Sequence, residues 1–309
     1  MKIVALFGPT GVGKTAVAVA LAHVLAQRGE DPVVVSCDAL QVYAGLETLT
    51  GVATAAERSG VEHRLISFLP LDATFSVGQY AQLAHAEIDG LLDAGRRPLV
   101  VGGTGLYLRA ALTELSLRPP APEGLREHWM AEVERHGAPA LHALLAARAP
   151  SAAQRIDRND RQRLVRALEL LDAGELPDMP GAEGDSDARS ELWSEDVRRP
   201  TLLVGLTMER QALYAATDAR VDAMVAAGVR EEVQRANAAG ASETARKALG
   251  FEDLLTDDVE AMKRHTRNFA KRQLTWMRKL AGVQMIDVTA REPAAVAAEI
   301  VERLDCGAG

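Results

Sequence analysis

Eight consecutive residues near the start of the chain, Gly8, Pro9, Thr10, Gly11, Val12, Gly13, Lys14 and Thr15, have the spacing G-x-x-x-x-G-K-[ST] in full. Glycines in such a loop turn backbone N–H groups inward as an anion nest, and the positive end of a following helix adds to it. Lys14 brings a mobile point charge to phosphate oxygens, and the Thr15 hydroxyl is the expected ligand of a phosphate-bound Mg²⁺. The chemistry predicted is the holding of a diphosphate or a longer phosphate chain. What then happens to the phosphates is open, because the loop serves transfer, hydrolysis or expulsion of a leaving group equally well. Asp38 is a second candidate, just past the apolar run 33–36, where open α/β sheets place their ligands. A turn or helix-capping aspartate is the other reading of a single acid there. A third signal lies at the end of the apolar run 98–101, which leads into Gly102, Gly103, Thr104 and Gly105. A nucleotide hydrolase or kinase would place an acid for Mg²⁺ at that point, whereas these residues suit close approach of something bulky to the backbone.

These groups need a scaffold, and the apolar pattern supplies one. Residues 3–7, IVALF, read as a strand covered on both faces and lead straight into the loop. Residues 16–28 have helical spacing, with Gly29 where a C-terminal cap belongs. Ser76 is placed to cap a helix running to about Asp93, and the strand at 98–101 follows. A proline-rich break at 118–122 opens a helical stretch to about Leu171, interrupted by Gly137, Pro139 and Pro150. Residues 174–197, rich in Gly, Asp, Glu and Ser, read as a flexible acidic linker. A strand at 201–206, helices around 212–227 and 230–239, a strand at 285–288 and an amphipathic helix complete the chain. The pattern predicts an α/β fold, P-loop NTPase-like, with a parallel sheet flanked by helices and an inserted all-helical domain. The core is expected at 1–117 and 199–309, and the insert with its linker at 118–198.

Composition narrows the classes. The 309 residues, 48% hydrophobic and 25% charged, can bury a full core. No apolar run is long enough for a membrane span, and the opening run leads into the phosphate loop rather than a cleavage site, so a cytoplasmic protein is expected. Cys37 and Cys306 are too few for a disulfide framework or a zinc cage, which leaves Mg²⁺ held largely by phosphate as the expected metal. A net charge of −8 argues against a general nucleic-acid coat but leaves room for local basic patches. Two segments qualify. Arg155, Arg158, Arg161, Arg163 and Arg166 recur along the last helix of the insert, as phosphate contacts or as a solvated face. Residues 263–279 carry Lys263, Arg264, Arg267, Lys271, Arg272, Arg278 and Lys279 with no acid among them, and read as a nucleic-acid or phosphate face.

Several stretches carry a family resemblance: GPTGVGKT, SCDALQVY at 36–43, VVGGTGLYLRA at 100–110, RNDRQRLVRALEL at 158–170, MVAAGVREEV at 224–233, LGF at 249–251 and AKRQLTW at 270–276. The chain resembles the tRNA dimethylallyltransferases, or tRNA isopentenyltransferases, along nearly its whole length. One departure is LTGVA at 49–53, where the family commonly has G-T-x-K-P, so a loop lysine and proline are missing. The resemblance implies transfer of a dimethylallyl group from its diphosphate to N6 of adenosine 37 beside the tRNA anticodon, by a monomer that uses Mg²⁺. It implies Asp38 as general base, Thr10 as donor to the bridging oxygen, Lys14 and Arg220 on the diphosphate charge, and Thr15 on the metal. It also implies tRNA contacts at Asp38, Ala39, Leu40 and Gln41, at Thr104 and Arg126, and at Asn159, Asp160, Arg161, Gln162 and Arg163. Further tRNA contacts are implied at Lys271, Arg272, Gln273 and Trp276. Two other readings stand beside it. A nucleotide or small-molecule kinase shares the ATP-binding loop but needs the missing acid. A non-catalytic RNA-binding module is disfavoured by the retained Lys14 and Thr15.

Overall fold

Apolar runs flanked by helices on both sides make a sheet whose inner strands are buried, and the computed structural model of this chain has that form, with its first, second and fourth strands wholly buried. It describes residues 1–115, 122, 124–175 and 195–306. The strands are β1 (Ile3–Phe7), β2 (Pro32–Ser36), β3 (His63–Arg64), β4 (Arg97–Gly102), β5 (Thr201–Thr207) and β6 (Gln284–Asp287). They form one parallel sheet in the order β3-β2-β4-β1-β5-β6. β1 lies in its middle, with Leu6 opposite Val101 on one side and Val204 on the other. The chain runs from β1 to β2 and β3 on one side, and after β4 it passes to β5 and β6 on the other; such a switch in the strand order is where a crevice opens beyond the carboxyl ends.

The helices, in chain order, are α1 (Lys14–Gln27), α2 (Glu47–Thr50), α3 (Ala55–Gly60), α4 (Val77–Asp93), α5 (Gly105–Leu112), α6 (Leu125–His136), α7 (Ala138–Arg148), α8 (Pro150–Ala153) and α9 (Arg161–Asp172). After β5 come α10 (Arg210–Ala226), α11 (Val229–Ala238), α12 (Phe251–Leu255), α13 (Val259–Met277) and α14 (Pro293–Cys306). Leu21 and Leu25 of α1 pack with Val296 and Ile300 of α14 on one face of the sheet. Tyr80 and Ile88 of α4, Leu108 of α5 and Met277 of α13 cover the other. Ser76 caps α4 in a capping box with Gln79, as the sequence leads one to expect. The short elements α2, α3 and β3 were not foreseen, since segments of two to six residues carry no readable period.

The chain divides into two compact units, residues 1–115 with 192–309, and residues 116–191. The smaller is helical: α6, α7 and α9 enclose Trp129, Leu141, Leu145, Leu164 and Leu168. Its last helix starts later than the arginine spacing suggests. Asp160 accepts the Arg163 N–H at 3.1 Å as an N-cap, so Arg155 and Arg158 precede the helix instead of lying along it. Most of the acidic stretch at 174–197 and of the proline-rich break lies outside the described residues.

Candidate active site

The phosphate loop follows β1 without a spacer, and Gly13, at φ 93, makes the left-handed turn from which α1 starts at Lys14. The Lys14 ammonium donates to the carbonyls of Gly8 at 3.0 Å and Pro9 at 2.9 Å. Burial and the nearby Arg220 charge bring its pKa down to about 8, with Asp38 pulling the other way. Arg220 arrives from α10. Thr217 of that helix packs on Gly11, where a Cβ would meet the Thr217 methyl at 2.9 Å, and Arg220 is three residues on, along the same face. Burial depresses the Arg220 pKa too, and Asp38 again opposes the shift. Two cations and one carboxylate are thus coupled around one loop.

Asp38 follows β2, whose ladder extends one residue further through the Cys37 N–H to the Val101 carbonyl at 2.9 Å. Its Oδ1 accepts the Leu40 N–H at 3.0 Å, so the turn role left open for this acid is real. The Gln41 amide is held at both ends: Ser36 Oγ donates to its Oε1 at 2.9 Å, and its Nε2 donates to the Gly51 carbonyl at 3.1 Å. Ala39 and Leu40 are half-buried in the same turn.

At the end of β4 the bulky neighbour is the protein's own helix α13. A Cβ on Gly103 would overlap the Gln273 amide, and one on Gly105 would overlap the Trp276 indole. Gln273 is 5% exposed; its Oε1 accepts the Thr10 N–H at 2.8 Å and its Nε2 donates to the Gly103 carbonyl at 2.7 Å. Its amide ties the phosphate loop to β4. Trp276 likewise packs on Gly105 and lies 6.0 Å from the Phe7 ring. Gly105→Ala is therefore expected to displace the indole and lower stability by about 1–3 kcal/mol, the usual cost of overpacking. Urea unfolding measures this as a lower midpoint at unchanged slope. An unaltered midpoint would contradict the packing.

Acids from outside the basic run meet its first half. Asp218 and Asp222, one turn apart on α10, pair with Arg267 at 2.6 Å and Lys263 at 2.7 Å, one turn apart on α13. Asp253 meets His265 at 2.9 Å, and Asp258 lies 3.9 Å from Arg264. The first half of the run thus zips α13 to its neighbours. Lys271 and Arg272 are exposed, with Arg272 over the Phe269 ring at 5.5 Å, and Arg278 is exposed beyond them.

In the helical unit Arg126 and Arg166 both pair at 3.1 Å with Glu169, which is 1% exposed. Arg161 pairs with Glu134, and Arg163 lies 3.4 Å from Asp160. The arginines there have more acidic neighbours than their own segment supplies. Asp160 is occupied as the helix cap, and the Asn159 N–H is held by Asp157 at 2.8 Å. Arg161, Gln162 and Arg163 face outward on the first turn of α9. Thr104 begins α5 without a side-chain capping bond.

For a metal, Thr15 stands in the first turn of α1, and among the described residues no three His, Cys, Asp or Glu side chains gather to cage an ion. A Mg²⁺ ion fits this donor set only with diphosphate oxygens and water completing its shell, which is its usual preference. Among the described residues no helix is long and apolar enough to cross a membrane.

Comparison with known proteins bears on this arrangement. Residues 41–280 match the IPP transferase family. The chain is 38% identical to a tRNA dimethylallyltransferase of Symbiobacterium thermophilum, over 98% of this chain and 95% of that protein. It is 40% identical to one of Kineococcus radiotolerans, over 90% and 88%. Among solved structures, the full-length tRNA isopentenylpyrophosphate transferase from Bacillus halodurans superposes with a TM-score of 0.69 at 33% identity, over 98% of this chain and 95% of that one.

Proposed function

This chain belongs to the IPP transferase family, and we propose that it transfers a dimethylallyl group from dimethylallyl diphosphate to N6 of adenosine 37 in tRNA, releasing pyrophosphate. The observation that carries the proposal is the grouping of Lys14, Arg220 and Asp38 about one anion loop beside a strand end without a carboxylate. In the reaction the N6 lone pair attacks the prenyl C1, the C1–O bond breaks, and its electrons pass to the bridging oxygen. Lys14 exchanges the Gly8 and Pro9 carbonyls for diphosphate oxygens, and Arg220 faces the same charge. The Thr10 N–H is engaged by Gln273, so its hydroxyl is the group left to donate to the bridging oxygen. Asp38 takes the proton that N6 sheds. Mg²⁺, held by Thr15, diphosphate and water, would supply further charge stabilisation for the leaving group. The Gln41 amide, fixed by Ser36 and Gly51, is positioned in the turn after Asp38 to orient an adenine edge.

The test is nucleoside mass spectrometry of a tRNA transcript incubated with the protein, Mg²⁺ and the diphosphate. Isopentenyladenosine is expected, and it should vanish when adenosine 37 is replaced by guanosine. Product that persists in that transcript would move the target elsewhere.

Two further results follow from the charges. Free Lys14 loses its proton near pH 8, having been lowered from 10.5. The diphosphate needs the ammonium, so kcat/KM for it should be level below about pH 7.5 and fall toward tenfold per unit above pH 8. A profile flat to pH 10 would remove Lys14 from the binding step. Binding of tRNA through Lys271, Arg272 and the exposed turn of α9 should weaken steeply with salt. Arg272→Gln should reduce the log–log salt slope by about one. Salt-independent affinity would exclude these phosphate contacts.

A further inference from the structure

The 49–53 loop has lost the lysine and proline common in the family, and Val52, in the lysine's place, is 8% exposed. The loop therefore brings no charge of its own to the site, yet it is firmly held. Glu232 of α11, itself 8% exposed, accepts the Thr48 N–H on Oε2 at 3.0 Å and the Leu49 N–H on Oε1 at 2.8 Å. These are first-turn N–H groups of α2 that no helical carbonyl can reach, and an ionised carboxylate is their strongest partner. At the other end of the same turn Gly51 adopts φ 62. Its carbonyl receives the Gln41 amide at 3.1 Å, and its α-carbon is so near Arg220 that a Cβ would overlap the guanidinium. One helical turn thus joins a buried acid to two groups of the site.

We propose that Glu232 is a positioning residue, which through the turn ending at Gly51 seats Arg220 against the diphosphate. The inference rests on the prenyl-transfer reading for its rate effect, and on geometry alone for its effect on pyrophosphate binding. Glu232→Gln keeps the volume but presents an NH₂ group to one of the two N–H donors, so the turn must shift. A displacement of this kind is expected to slow single-turnover transfer by about 10- to 100-fold. The distinguishing experiment is a double-mutant cycle with Arg220→Ala. If Glu232 acts by way of Arg220, Glu232→Gln should cost less than about 3-fold once the arginine is gone, a strong departure from additivity. Gly51→Ala, which strikes the opposite end of the device, should show the same dependence on Arg220, and it serves if Glu232→Gln fails to fold.

Each cycle is run also with inorganic pyrophosphate affinity as the readout, which needs no prenyl chemistry. If wild-type protein makes no isopentenyladenosine while pyrophosphate binding still couples Glu232 to Arg220, the transfer reading fails and the positioning role stands. Additive effects in both readouts, or wild-type behaviour of Glu232→Gln and Gly51→Ala, would overturn the role. So would a lowered unfolding midpoint with unchanged rate and affinity, the mark of a purely structural acid.

Discussion

Asp38→Asn is expected to slow single-turnover transfer by about 10²- to 10⁴-fold, the range of general-base catalysis, while dimethylallyl diphosphate still binds. An exocyclic amine has its lone pair delocalised into the ring and gains much from losing a proton as it attacks. Asparagine is the informative replacement because its Oδ1 can still accept the Leu40 N–H that Asp38 accepts at 3.0 Å. The turn is kept and only proton acceptance is lost. Asp38→Ala should be no faster, and it removes the turn contact as well. Asp38 is also the counter-charge that supports protonation of Lys14 and Arg220, so a modest loss of diphosphate affinity above neutral pH is expected in both variants. Near-normal turnover in the asparagine variant would assign the base to another group.

Lys14→Ala is expected to lower kcat/KM for the diphosphate by about 10²- to 10³-fold, the usual loss on removing one preorganised donor from a developing charge. The effect should divide between binding and rate, because the ammonium meets the diphosphate in the ground state and meets more charge as the C–O bond breaks. Lys14→Arg should recover little of it. The lysine approaches Gly8 and Pro9 as a compact point donor, and a planar guanidinium fork does not fit the same loop. Equilibrium binding of the diphosphate and single-turnover rates measure the two parts, and unchanged values of both would detach Lys14 from the reaction.

The core of the site was legible because it is local. β1, the phosphate loop and the start of α1 lie in one continuous stretch, and their pattern requires a strand before and a helix after. The helical insert was legible from its spacing, and the Gly102–Gly105 pattern announced a close approach. What approaches was not legible, because a glycine marks the space and not its occupant. Gln273 sits in a basic helix, and its structural partners were not legible from that setting. It falls in the buried stripe of Met262, Thr266, Ala270, Gln273 and Met277, a signal that a polar residue there has partners inside the protein. Glu232, between Val229, Val233 and Ala236, carries the same signal. The pairing of Asp218 and Asp222 with Arg267 and Lys263 had no local trace, since an acid-free window says nothing about the neighbouring helix. The charge of a segment and the charge of the surface it forms are different quantities.

On the proposed reading the loop serves a diphosphate leaving group and not a transferable γ-phosphate. The most direct measurement gives the same protein dimethylallyl diphosphate in one reaction and γ-labelled ATP in a parallel one, each with tRNA, nucleosides and Mg²⁺, and identifies the labelled products. Isopentenyladenosine in tRNA is expected from the first and no phosphorylated acceptor from the second, with ATP at most a weak competitor. Label from ATP appearing on a nucleotide at about 1 s⁻¹, the ordinary range for kinases, with no prenylated adenosine from the diphosphate, would contradict it.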